Sequence, residues 1–307
     1  MSTLIKKQPW EVHGASVLGA SHARAGLPNQ DAVTWEATCS KEGNSVVLAV
    51  ADGHGNVKSF RSAVGSEFAV TVAKETLREF AVAFARHDNL GVVERAMESD
   101  LPQEIVKRWQ DRVNEHRTGH PFTETDLEAI TPADRKQVEE SPLVAYGATL
   151  VAVLLTDRFI GYLQLGDGDI LVVSEKGEVS RPLPPDERLM ANETTSLCSI
   201  GSSGGKRPTA GPTGAWVDFR IKLAQTATTL PVLILVSTDG YKNSFRSDAD
   251  FLPVGSDLCE FLRSNGLEYV KANLENWLVE ASKTGSGDDI TRNGAYGLPA
   301  QCQRFLK

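Results

Sequence analysis

No pair of cysteines in this chain is spaced as CxxC. Cys39, Cys198, Cys259 and Cys302 are scattered along 307 residues, which argues against a zinc site or a disulfide framework and fits reduced thiols in a cytosol. Long apolar runs are also missing: the longest, such as "LPVLILV", are strand length, and the lysines of "MSTLIKKQPWEVHG" have no apolar segment behind them. The sequence predicts a soluble, unexported, cytoplasmic protein with no membrane partner. Positive charge is in deficit, with 32 Lys and Arg against 40 Asp and Glu and a net charge of −8. A general phosphate-backbone binder needs the opposite balance, so no nucleic-acid partner is expected. No basic stripe accompanies the five tryptophans, which read as packing residues rather than a stacking platform. Neither an internal repeat nor a dividing linker is found, so residues 1–307 are expected to form one domain.

What the chain has in quantity is core, at 41% hydrophobic residues. In "SVVLAVADGHGNVKSF" (45–60) the run Val46–Ala51 is too short for a helix and reads as a strand covered on both faces, ended by an Asp-Gly turn signal. Helical spacing follows over 59–86 through Phe60, Val64, Phe68, Val72, Leu77 and Phe84. A helical and loop insertion is expected over about 92–143: a helix near 92–117, bent or restarted at Pro102, then a loop-rich surface stretch over 118–143 containing three prolines. The middle of the chain is β-rich: "GATLVAVLLTD", "RFIGYLQLGDGDILVVSE" and "LPVLILVSTDG" are strand runs with turn chemistry between them, and Gly166–Asp169 reads as a hairpin turn. Residues 256–283 return to helical spacing with a break at Gly266, and "SIGSSGGKRPTAGPTG" (199–214) predicts a flexible loop. The fold class is therefore α+β, with layered antiparallel sheets and helices outside them.

The strand ends repeat one chemistry. "VVLAVADGHG" stops at Asp52, "YLQLGDGD" at Asp167 and "LILVSTDG" at Asp239, while "TGSGDDIT" offers Asp288 and Asp289 and "GLPNQDA" offers Asp31. A single such tip is a turn. If several converge, the cost is large, because two unit charges about 4 Å apart repel by roughly 4 kcal/mol at an effective dielectric near 20. Hard divalent cations remove that cost, and an oxygen-only set points to Mg²⁺ or Mn²⁺. The alternative left open by the residues alone is that the aspartates end unrelated turns.

The ordered set "GLPNQDA", "VADGHG", "GATLVAVLL", "LGDGDILVV", "STDGYKNSF" and "DDIT" resembles the metal-dependent protein Ser/Thr phosphatases of type 2C, and "NETTSL" (192–197) resembles a feature of bacterial members. The resemblance spans residues 14 to about 291. It implies a four-layer α-β-β-α sandwich with two central antiparallel sheets. It implies hydrolysis of phosphoserine and phosphothreonine in proteins, with two Mn²⁺ or Mg²⁺ ions and room for a third, and a cognate Ser/Thr kinase that makes the substrate. Residue by residue, it implies that Asp52 bridges both metals with the Gly53 carbonyl beside it, and that Asp239 and Asp288 complete the first metal's shell, with Asp289 as the alternative to Asp288. It further implies that Asp31 acts through metal-bound water and that Asp167 serves a weaker third metal. His54 corresponds to the residue that protonates the leaving Ser or Thr oxygen, and Arg24 is the candidate phosphate grip, with an ordinary exposed arginine as its alternative.

The chain also departs from that pattern. Gln30 stands where an acidic residue commonly precedes Asp31, and "RNGAYGLPAQ" follows "DDIT" where an aliphatic strand is usual, so the last strand is expected to be short or re-routed. Lys206 and Arg207 read either as part of the flexible loop or as a flap over substrate. A catalytically weak pseudophosphatase acting as a regulatory binding module is the rival function. The retention of Asp52, Asp239 and Asp288 weighs toward the enzyme.

Overall fold

The computed structural model describes residues 10–40, 43–184, 195–199, 218–228 and 230–297. Along these the chain runs β1 (Trp10–Val17), α1 (Ala20–Ala25), β2 (Ala32–Ser40), β3 (Gly43–Ala51), α2 (Ser62–Phe84), α3 (Leu90–Gly119), α4 (Glu124–Glu128), α5 (Pro132–Glu140), β4 (Leu150–Thr156), β5 (Phe159–Leu165) and β6 (Asp169–Val173). It continues through β7 (Val179–Ser180), β8 (Arg220–Gln225), β9 (Leu233–Ser237), α6 (Asp239–Asn243), α7 (Asp248–Phe251), α8 (Pro253–Asn265), α9 (Leu267–Thr284) and β10 (Ile290–Gly297). The strands form two five-stranded sheets, β2-β3-β4-β5-β8 and β1-β10-β9-β6-β7. Every pairing is antiparallel.

The two-residue period of β3 builds the layers. Val46, Leu48 and Val50 point between the sheets, where they join Val151, Val153 and Leu155 of β4 and Ile234 and Val236 of β9. Val47, Ala49 and Ala51 point the other way, under Ala69, Val72 and Leu77 of α2 and Met97, Ile105 and Trp109 of α3. On the far side α8 and α9 bury Leu258, Leu262, Val270, Leu274 and Leu278 against Leu171, Leu233 and Leu235. The result is the four-layer sandwich, held by an apolar stratum between each pair of layers. Full burial of each large aliphatic side chain stabilises it by about 1.5–3 kcal/mol.

Register then gathers the tips. Ala32 pairs with Ala51, Val50 with Val151 and Leu150 with Leu165, while Ser237 pairs with both Asp169 and Arg292. The C-terminal ends of β3, β5 and β9 and the N-terminal ends of β2, β4, β6 and β10 therefore lie at one end of the sandwich.

Four local expectations need correction. The Gly166–Asp169 turn is no hairpin, because β5 and β6 belong to different sheets and the turn carries the chain across the sandwich. Gly166 supplies a φ of 102°, open to glycine, and the Gln164 amide donates to Gly168 O at 2.6 Å. The helix α3 does not restart at Pro102 but continues through it. Its buried stripe of Val93, Met97, Leu101, Ile105, Trp109 and Val113 outweighs a missing backbone bond and ring clash that cost about 3 kcal/mol. The stretch 118–143 contains two short helices rather than loop alone, with Thr123 and Asp126 forming a capping box on α4 and Pro132 opening α5 at a position where proline is favoured. The last strand is full length. Ile290–Tyr296 are all buried between β1 and β9, Arg292 donates to Tyr296 Oη at 3.0 Å, and the Asn293 amide reaches across the sandwich to Thr34 O at 2.9 Å and Ala49 O at 3.2 Å. From residue 200 onward the expected 199–214 loop, with Lys206 and Arg207, lies outside the described residues.

Candidate metal centre and active site

Asp52, Asp167 and Asp239 converge where the strand ends meet, each offering a carboxylate oxygen within 4.8 Å of the others'. They come from both sheets. Asp52 follows β3, Asp239 follows β9 by two residues, and Asp167 sits on the crossing turn. The backbone at Asp52 is fixed by the start of β4: Asp52 N donates to Thr149 Oγ1 at 3.0 Å, and Thr149 N donates to Asp52 O at 2.8 Å. Gly166 N donates to Thr195 Oγ1 at 2.9 Å, which pins the crossing turn. Asn243 Nδ2 donates to Asp239 Oδ2 at 2.9 Å from the far end of the same short helix.

Asp31 completes the group from the start of β2. Thr238 Oγ1 donates to its Oδ2 at 2.7 Å, and Thr291 N donates to Thr238 Oγ1 at 3.1 Å, so β9 and β10 both act on it. Burial raises the Asp31 carboxyl to about 8, with the Asp289 and Asp239 charges adding to the rise and the Thr238 hydrogen bond opposing it. Burial likewise pushes Asp52 well above the usual carboxylate range, helped by Asp31, Asp239 and Asp167. Asp239 rises to about 6, again from burial first and then Asp167, offset in part by its hydrogen bond with Asp52. Carboxylates held together at this cost could hold a hard divalent cation, whose charge would reverse each of these shifts.

Asp288 lies at the rim. Its side chain is 49% exposed, its Oδ1 accepts Asp289 N at 2.8 Å and stands 3.5 Å from His22 Nε2, and its charge reaches Asp239. Asp289 is 3% exposed and engaged by backbone N–H groups. Gly53 is pressed against its neighbours, where a Cβ would stand 2.5 Å from Gln30 O and 2.9 Å from Ser62 O, so only glycine fits. His54 N donates to Gly147 O at 3.0 Å, and its ring is largely buried, with Nε2 lacking a partner among the described residues. Burial lowers its pKa, while the Asp167 charge pulls it up. Arg24 is exposed on α1 and makes no ion pair among the described residues. The Gln30 amide turns away to Ser62 Oγ at 2.9 Å.

Thr149, Thr195, Thr238 and Asn243 were not singled out as site residues in the sequence. Thr238, next to the strand-end Asp239, offers a sequence signal, since its hydroxyl can bond a nearby backbone group or carboxylate; Thr149, Thr195 and Asn243 adjoin no such Asp and offer none.

The Protein phosphatase 2C family profile matches residues 18–279. The chain belongs to the protein phosphatase 2C family. No curated protein matches it. Among solved structures, this phosphatase 2C chain is similar to a bacterial serine phosphatase, with 14% identity and a TM-score of 0.54 over 94% of this chain and 98% of that one. It is similar to the catalytic domain of the serine/threonine phosphatase PstP in complex with 2 manganese ions, with 16% identity and a TM-score of 0.52 over 95% and 100%. It is also similar to a C. elegans sex determining protein, with 17% identity and a TM-score of 0.56 over 98% of this chain and 68% of that one. At these identities the likeness is one of fold. No described helix is long and apolar enough to cross a membrane.

Proposed function

We propose that this phosphatase 2C protein hydrolyses phosphoserine and phosphothreonine in proteins with the help of two Mn²⁺ or Mg²⁺ ions, a third being weaker. The observation that carries the reading is the half-buried trio of Asp52, Asp167 and Asp239, joined from both sheets with carboxyl pKa values displaced upward at Asp52 and Asp239. Asp52 with the Gly53 carbonyl, Asp239 and Asp288 would hold the principal ions, Asp31 would act through their water, and Asp167 would serve the third. When bound, such ions supply Lewis-acid activation of water and neutralise phosphate charge.

The protein's own groups do the rest. Thr238 orients Asp31 and Thr149 fixes the Asp52 backbone, while His54, beside Gly147 with Nε2 free of a hydrogen bond among the described residues, would give a proton to the departing serine or threonine oxygen. Its substrates are phosphoproteins, which a Ser/Thr kinase must supply. Gln30, an amide that bonds Ser62 where an acidic residue is expected beside Asp31, favours the pseudophosphatase as second reading, since that position bears on metal. A phosphothreonine peptide separates the two. Turnover in millimolar Mn²⁺ that disappears in EDTA is expected, and absence of turnover with Mn²⁺ bound would leave the binding module.

A further inference from the structure

The segment Gly19–Gln30 leaves β1, carries α1 and delivers the chain to Asp31. Most of its fixed points lie between Ser282 and Asp289, ahead of β10. Gly19 N donates to Asp289 Oδ1 at 2.6 Å and Gln30 N to Asp289 Oδ2 at 2.7 Å, so one carboxylate closes both ends of the segment. Between those ends, Ala20 N donates to Ser282 Oγ at 3.0 Å and Ser21 N to Gly287 O at 2.7 Å. His22 Nδ1 stands 2.9 Å from Asp289 Oδ2, off the line a hydrogen bond needs. The approach is close enough that a Cβ on Gly19 would lie 2.6 Å from Asp289 N.

We infer that Asp289 is a positioning residue: a buried carboxylate whose two oxygens fix the Gly19–Gln30 segment and, through Gln30, the placement of Asp31. Both oxygens are occupied by backbone donors, which sets Asp289 apart from Asp288, whose half-exposed carboxylate faces the acidic cluster. The residue type matters. An ionised Asp accepts at both oxygens, whereas an Asn in its place would set an NH₂ against one of the two backbone N–H groups. Gln30 is gripped at its other side as well, since Ser66 Oγ donates to Gln30 O at 2.6 Å. Loosening at Asp289 therefore reaches Asp31 by one peptide unit, not by a general loss of fold.

The consequence for activity rests on the phosphatase reading, whereas amide exchange does not. Hydrogen exchange on the metal-free full chain should find the Gly19 and Gln30 amides protected. Asp289→Asn should speed exchange across 19–30 by about 100-fold while α2 and β4 keep their protection. Asp288→Asn should leave 19–30 protected. Calorimetry should show Mn²⁺ binding weakened about tenfold in Asp289→Asn, with kcat on a phosphopeptide recovering at saturating Mn²⁺. Wild-type Gly19 or Gln30 amides exchanging at unprotected rates would overturn the inference even if the variant fails to fold, as would a folded Asp289→Asn that keeps its protection. A kcat that stays low at saturating Mn²⁺ would overturn the positioning role. A protected segment in a wild-type protein that binds no Mn²⁺ would support the clamp and remove the phosphatase reading instead.

Discussion

The two sheets of this sandwich bury different things. In β2-β3-β4-β5-β8 the central strand β4 reads LVAVLLT and is buried throughout, aliphatic but for its last residue. In β1-β10-β9-β6-β7 the equally buried β10 carries Thr291, Arg292 and Asn293, and Ser237 and Asp169 lie in the same cross-strand row as Arg292. The first sheet is a platform that ends in Asp52, while the second supplies Asp239 and the threonines that orient Asp31. A strand can give up hydrophobic content without loss of order when its polar side chains have specific partners, as the Thr291 hydroxyl has in Ser16 Oγ at 2.6 Å and the Asn293 amide has on the opposite sheet.

The largest effect should come from cutting the site at either sheet. Asp52→Asn and Asp239→Asn should each lower kcat on a phosphothreonine peptide by at least about 100-fold, with circular dichroism unchanged. If either keeps more than about a tenth of wild-type kcat, a loss under roughly 1.4 kcal/mol, the two sheets do not share one centre. Next comes the contrast in cores. Leu154→Ala in β4 should destabilise by about 2–5 kcal/mol in urea titrations, through lost transfer energy and a cavity. Arg292→Met in β10 should change stability by less than about 1 kcal/mol or raise it, because no carboxylate among the described residues lies within 4.0 Å of that buried guanidinium. A large loss at Arg292 would mean that the polar strand depends on its charge.

His54, at the tip of the aliphatic sheet, should matter in proportion to the leaving group. His54→Ala should slow a phosphoserine peptide by on the order of 100-fold and p-nitrophenyl phosphate much less, and equal losses would remove the acid role. The smallest effect is a pH trend in the metal-free protein. Asp31 at about 8 and Asp239 at about 6 hold protons in the folded state that the unfolded chain releases nearer 3.8. The folded state thus binds more protons between those limits, so stability is greatest at the acidic end and is lost as pH rises through about 6 and then about 8. Metal-free Tm should be higher at about pH 5 than at about pH 8, and added Mn²⁺ should flatten the difference. A metal-free Tm that climbs toward pH 8 would contradict the raised carboxyls.

Much of this was legible in the chain. The alternation in β3 and the Asp-Gly endings state the layers and the tips directly, because a two-residue period and a turn dipeptide are local properties. The Gly166–Asp169 crossing was not legible, since a hairpin and a passage between sheets use the same glycines and differ only in which distant strand pairs next. The continuation past Pro102 and the full length of β10 have a related cause: burial against other elements decides both, over a local penalty in one and a polar composition in the other. Asp288 is read as the metal ligand with Asp289 as its alternative because adjacent carboxylates look alike in a sequence, and the backbone partners of Asp289, Gly19 and Gln30, lie 270 and 259 residues away.

The place of β10 bears on how such a molecule comes to be assembled. It is paired on both sides, by β1 from the beginning of the chain and by β9 just before it. Until it slots in, β1 and β9 present open edges, the Gly19–Gln30 segment lacks its partner, and Thr238 lacks the backbone of Thr291 that sets its hydroxyl toward Asp31. Closing a gap of that sequence length is slow and comes late in folding. The segment that finishes the sheet is also the segment that finishes the acidic centre, so completing two of the apolar strata and setting Thr238 against Asp31 are one event.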